Sequence, residues 1–183
     1  VEEGILKGMY LLHIGGRGAV RATLLGSGTI LREALAAAET LESEFGIPAD
    51  VFSVTSFSEL RRDALSAERE AMLKPAEKPR DPWVRECLAG RQGPFIAATD
   101  YMKVVADQIR QWVPGRYVAL GTDGFGRSDS REALRGHFEV DRRWIVVAAL
   151  KALADDGRID RSSVTLAMKK FGIDPAKPAP LES

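Results

Sequence analysis

Short runs of β-forming residues alternate with longer runs of helical periodicity along most of this chain. Ile5 to Ile14 is apolar with a break at Lys7-Gly8, and Ala19 to Leu25 is rich in β-formers. Gly15-Gly16-Arg17-Gly18 supplies turn chemistry between them, which predicts two strands, antiparallel if they pair. Gly26-Ser27-Gly28 then leads into Ile30, Leu31, Ala34, Leu35, Ala38 and Leu41, a helical stripe that runs to Phe45-Gly46. Asp50 to Thr55 reads as a buried strand, and Ser56 with Glu59 has capping-box spacing for the next helix. Phe95-Ile96-Ala97-Ala98 and Tyr117-Val118-Ala119-Leu120 are further strands. Between them Thr99-Asp100 caps an expected helix from Tyr101 to about Trp112.

Two segments interrupt the rhythm. Lys74 to Pro82 holds three of the nine prolines, so residues 74–82 are expected to form a connection across the surface, followed by a short helix at Trp83 to Leu88. Beyond Leu120 come a Gly-rich loop and helices near Arg131–Phe138, Asp141–Asp155 and Ser162–Phe171, with Gly157 stopping the second of these. Residues 174–183 read as a loose tail or one draped over the surface. Alternation of this kind predicts an α/β fold: a three-layer α/β/α arrangement around an open mixed sheet, mostly parallel with one antiparallel edge strand, and a helical C-terminal end. At 183 residues the chain fits a single domain, residues 1–183.

Composition removes several classes of function. Lys plus Arg and Asp plus Glu are each 26, so no overall field favours nucleic acid or an anionic membrane surface. The longest mostly apolar stretch, Trp144 to Leu150, is far short of the ~20 residues of a membrane-spanning helix. Cys87 is the sole cysteine, which excludes an internal disulfide and fits a reducing cytoplasm. Val1-Glu2-Glu3-Gly4 lacks the cationic and apolar regions of a signal peptide and reads as a point inside a longer chain.

Catalytic chemistry is sparse. Gly26-Ser27-Gly28 stands where a strand hands over to a helix and anions can bind, but it lacks the third glycine of a dinucleotide fingerprint and the Gly-Lys-Ser/Thr of a P-loop. A tight turn is the better reading. His13 and His137 are the only imidazoles, with no Cys or His at metal spacing, and no Gly-x-Ser-x-Gly elbow is present. Cys87 belongs on the apolar side of a short helix. The mixed charges from Ser58 to Arg69 describe a solvated helix or a surface for a charged partner.

The most informative segment is Gly121-Thr122-Asp123-Gly124-Phe125-Gly126-Arg127-Ser128-Asp129-Ser130-Arg131-Glu132, which follows a strand where α/β sheets place their binding loops. Ser128, Asp129 or Ser130 caps the next helix, and Asp129 and Glu132 have capping-box spacing. Asp123, Arg127 and Asp129 are expected to fix the loop against another domain or subunit.

With His137-Phe138-Glu139-Val140-Asp141 added, this segment resembles the C-terminal domain of the homodimeric pyruvate dehydrogenase E1 family. Leu24 to Gly28, Val54 to Leu60 and Thr99 to Lys103 resemble the same family in the same order. The core Asp123-x-Phe125-Gly126-x-Ser128 is also similar to the corresponding loop of transketolases, and the extension to Arg131 favours E1. The resemblance implies an open α/β/α domain with a mixed sheet of about five strands. It implies placement after two domains that bind thiamin diphosphate and magnesium between subunits, so that catalytic, cofactor and metal residues map to no position here. Asp123, Phe125, Gly126, Arg127, Ser128 and Asp129 then form a structural or interface motif. The implied parent oxidatively decarboxylates pyruvate and acetylates a lipoyl group, with the other E1 domains, the second E1 subunit and the E2 component as partners. The competing expectation is a free-standing small-molecule or anion-binding α/β module.

Overall fold

The structure, a computed structural model, describes residues 1–182. Among these residues the strands are β1 (Met9–His13), β2 (Ala22–Ser27), β3 (Ala49–Val54), β4 (Phe95–Ala98) and β5 (Tyr117–Leu120). They form one sheet in the order β1-β3-β2-β4-β5. Every pairing is parallel except β1 with β3, where Met9 lies opposite Val54. The expected α/β/α sheet with one antiparallel edge strand is present.

Neighbouring residues on each strand face opposite layers, as a pleat of period two requires. Leu24, Val51 and Ile96 turn toward α2 (Leu31–Phe45) and α7 (Arg142–Asp155), with α8 (Ser162–Lys170) packed behind them. Leu25, Phe52 and Ala97 turn toward α3 (Phe57–Leu73), α4 (Trp83–Leu88) and α5 (Lys103–Asp107). All six residues of β2 and of β3 are buried, which accounts for the apolar pairs Leu24-Leu25 and Val51-Phe52 at their centres.

The start of the chain corrects the reading of Ile5 to Ile14 as strand. Glu2–Leu6 is a helix, α1, with two acidic residues in its first turn and a Glu3–Lys7 ion pair at 2.8 Å, and the strand starts only at Met9. The first two strands also do not pair with each other. Parallel β3 and β4 occupy both edges of β2, so β1 lies outside β3, and the Gly-rich link carries the chain past the end of β3. Buried Asp50, at the amino end of β3, anchors that link. It accepts the Gly15 amide at 3.1 Å, Arg21 Nη2 at 2.7 Å and Arg91 Nη1 at 2.8 Å.

Residues 74–82 contain no helix or strand, as their prolines imply, and Arg80 ties the segment to Asp63 at 2.9 Å. The expected Tyr101–Trp112 helix is shorter: α5 covers Lys103–Asp107, and a 3-10 turn covers Arg110–Trp112. Thr99 does not cap it. Thr99 Oγ1 accepts the Tyr101 amide, while the first amide of α5, from Lys103, donates to Asp123 Oδ1 at 2.9 Å. No helix among the described residues is long and apolar enough to cross a membrane.

Candidate functional site

The carboxyl ends of β2, β4 and β5 point to one side of the sheet. The chain leaves β2 toward β3 on one flank and reaches β4 on the other, so β2 and β4 flank the point where strand order reverses. Open α/β sheets place their crevices there. A cavity of about 350 Å³ occupies this position, running from Thr29 and Asp100 to Gly124, Gly126, Arg127 and α6 (Arg131–His137).

Gly28 begins a 3-10 turn with φ of 55°, and a Cβ there would lie 2.8 Å from Asp100 Oδ1. Thr29 Oγ1 donates to Asp100 Oδ2 at 3.3 Å, and Thr122 Oγ1 donates to the Asp100 carbonyl at 2.8 Å. The Gly26-Ser27-Gly28 turn therefore faces a carboxylate, which repels a diphosphate at this end of the crevice.

The 121–129 loop divides into inward and outward parts. Asp123 faces inward onto the Lys103 amide, with Lys103 Nζ 3.9 Å from its other oxygen. Gly124 has φ of 108°, and a Cβ on it would come within 2.5 Å of the Pro180 carbonyl, so the C-terminal tail closes on the loop at this point. Gly126 meets neither demand. Phe125 projects outward and is 84% exposed, and Tyr101, Met102 and Leu181 of the tail are exposed too. Arg127, Ser128 and Asp129 are exposed as well. Of the three candidate caps, Ser130 is the one used: its Oγ accepts the Ala133 amide at 3.2 Å, while Asp129 Oδ1 accepts the Ser130 amide at 2.6 Å.

Below α6 lies a buried charge cluster that sequence reasoning did not identify. Glu33 of α2 is 6% exposed. It accepts Arg135 Nη1 at 2.9 Å, the Arg142 amide at 3.1 Å and Arg142 Nε at 3.0 Å. Burial by itself raises the Glu33 carboxyl, but the Arg142 hydrogen bonds and the Arg135 charge outweigh it and hold the group below the usual carboxylate range. Its partners lie about a hundred residues away, which no local pattern encodes. Asp141 beside it caps α7, accepting the Arg143 and Trp144 amides at 2.9 and 3.2 Å.

His137 closes α6 as the sequence suggests. Its Nε2 is buried without a hydrogen-bond partner among the described residues. Burial, reinforced by the charges of Arg127 and Lys177, lowers its pKa against the opposing pull of Glu139. The Lys177 ammonium donates to the His137 carbonyl at 2.9 Å and to Glu139 Oε1 at 2.8 Å, so the tail is pinned here too. His13 lies at the end of β1, apart from this cluster. Cys87 is half-buried, and burial pushes its thiol up to about 11. Among the described residues no three His, Cys, Asp or Glu side chains converge as a metal site. The Asp100 carboxylate at the Gly28 turn, where a diphosphate would need hydrogen-bond donors, disfavours a diphosphate there.

These features define an open α/β/α domain with a ligand-sized crevice and an exposed motif loop, and no nucleophile–base pair is formed among the described residues. The family model described as the transketolase-like TK C-terminal domain matches residues 8–141, and the chain belongs to that family. It is 60% identical over 183 residues to the pyruvate dehydrogenase E1 component of Pseudomonas aeruginosa, covering 99% of this chain and 21% of that protein. It is 52% identical over 182 residues to the pyruvate dehydrogenase E1 component of Escherichia coli K12, covering 98% and 20%. The chain thus spans about a fifth of the length of these curated relatives. The transketolase of Campylobacter jejuni shares the fold with a TM-score of 0.55 at 20% identity, over 80% of this chain and 19% of that one. The Leishmania mexicana transketolase does so with 0.54 at 18%, over 88% and 21%. These likenesses support an accessory domain of an E1 component over a free-standing module.

Proposed function

We propose that the chain is the C-terminal accessory and interface domain of a pyruvate dehydrogenase E1 enzyme that oxidatively decarboxylates pyruvate and acetylates the lipoyl group of E2. Residues 1–183 form one domain in this reading. Thiamin diphosphate and magnesium are held by other domains of the parent, and no step of the chemistry is assigned to this chain. Its partners are those domains, the second E1 subunit and E2, in the cytoplasm. The observation that carries the role is the placement of Phe125: a large aromatic side chain, 84% exposed, on a loop braced from within by Asp123 and the Pro180 contact. An ordered loop that presents an aromatic residue to solvent is suited to burying it against another protein surface. Ser128 and Asp129 follow it on the same loop with exposed polar side chains.

The test has two parts. The chain supplied with thiamin diphosphate, magnesium and pyruvate is expected to show no decarboxylation, and turnover by the chain alone overturns the assignment. In the longer enzyme Phe125→Ala is expected to weaken subunit or domain association in sedimentation and to lower activity as a consequence. Normal assembly combined with selective loss of cofactor or pyruvate binding would place the loop in the catalytic centre instead.

A further inference from the structure

The crevice between β2 and β4 is chemically asymmetric. One end carries the Asp100 carboxylate, whose accessible edge receives one hydroxyl, from Thr29, at 3.3 Å. The other end carries Arg127 and Arg131. The arginines that neighbour them are engaged: Arg135 and Arg142 hold Glu33, and Arg143 holds Asp141. Among the described residues Arg127 and Arg131 enter no ion pair, so two guanidinium groups with free donors border one cavity. Between the two ends the floor is apolar, from Ile30, Leu134 and Phe138.

We propose that this crevice binds a small amphiphilic anion. Its phosphate or carboxylate is held by Arg127 and Arg131, its apolar or aromatic body lies on Ile30, Leu134 and Phe138, and its hydroxyl or amino group donates to Asp100. Three independent features converge on this assignment. The cavity lies at the strand-order reversal, where α/β folds bind ligands. Its volume of about 350 Å³ is that of a small-molecule site, which typically spans roughly 300–1,000 Å³. Its charges are segregated, so a ligand has one orientation: the reverse pose sets anion against Asp100 and leaves both arginines unused. Phe125 does not line the crevice although Gly124, Gly126 and Arg127 do, so the same loop can offer its aromatic residue to a partner and its guanidinium to a ligand.

Titration of the chain with AMP, and in parallel with octanoate, tests the proposal by calorimetry and by amide chemical shifts. AMP joins a phosphate, an aromatic body and hydroxyl groups, whereas octanoate joins a carboxylate to an apolar body alone. Saturable binding of at least one of them with Kd below about 1 mM is expected, with the tighter one identifying the anion class. The shifts should concentrate on Thr29, Thr122, Gly124 and Gly126. Arg131→Ala should weaken that ligand about tenfold, the loss that follows from removing a charge-assisted hydrogen bond. Arg131 has no ion-pair partner to lose, and the shift map on the unaltered chain does not depend on any variant folding. The proposal fails if neither compound saturates below about 10 mM, if the shifts lie elsewhere, or if Arg131→Ala and Arg127→Ala both leave Kd within about twofold.

Discussion

Glu33 is a carboxylate that this fold keeps ionised, and the sign of its contribution follows from that. Its folded-state pKa lies below the unfolded value near 4.5, so its stabilisation is fully present above that value and is lost as pH falls through the folded pKa. Glu33→Gln should destabilise the chain by roughly 1–3 kcal/mol at pH 7, because Arg135 and Arg142 keep some access to water and are not left wholly buried. Urea unfolding of both forms should show the difference shrinking as pH drops below about 4.5; a constant gap down to pH 2 contradicts the assignment. Asp141→Ala removes two amide contacts at the start of α7 and should cost about 1–2 kcal/mol in the same assay. Ser130→Ala should cost about 0.5–1 kcal/mol and Asp129→Ala less, since Ser130 supplies the cap of α6. Cys87 provides a reading without mutagenesis. With its thiol raised from 9.0 to about 11, its thiolate fraction at pH 8 is about a hundredfold below that of a free thiol, and disulfide reagents should label it slowly until the chain unfolds.

Elements in this chain are held partly by their successors, and that sets what their own residues can reveal. Helix α5 has no cap from its own segment; Asp123, after the next strand, accepts its first amide. Asp123→Ala should therefore speed hydrogen exchange at Lys103, while the amides of α2 keep their protection; unchanged exchange at Lys103 would show that the contact contributes nothing. Strands β2, β3 and β4 were legible because their centres are apolar at consecutive positions, as burial on both faces demands, while α2 and α8 were legible from helical spacing and α7 from its Gly157 stop. Ile5-Leu6 misled because two apolar residues fit strand and helix equally; the Glu3–Lys7 pair decides for helix. The capping box of α3 is half made. Ser56 Oγ accepts the Glu59 amide, but the Glu59 carboxylate turns to Arg62 and the Ser56 amide donates to the Gly8 carbonyl. The motif loop was found from its glycines and capping residues, yet the crevice beneath it was not. Thr29, Asp100 and Arg131 come from three distant segments, and only sheet order brings them together.

At the scale of the molecule, two apolar cores on opposite sides of one sheet share every central strand, so neither core survives loss of the other. Thermal unfolding of the chain should accordingly be a single cooperative transition, with far-UV and near-UV signals coincident; separated transitions or strong dye binding at neutral pH would mean that one layer depends on a surface supplied by another domain. The sheet order has a further consequence during synthesis on the ribosome. Strand β2 belongs at the middle of the sheet, but its second neighbour, β4, begins 41 residues after β3 ends, from Val54 to Phe95. At about 5–20 residues per second, a growing chain spends roughly 2–8 s with one edge of its most buried strand open. Through that interval the nascent protein presents an apolar, unpaired strand edge of the kind that another chain can pair with.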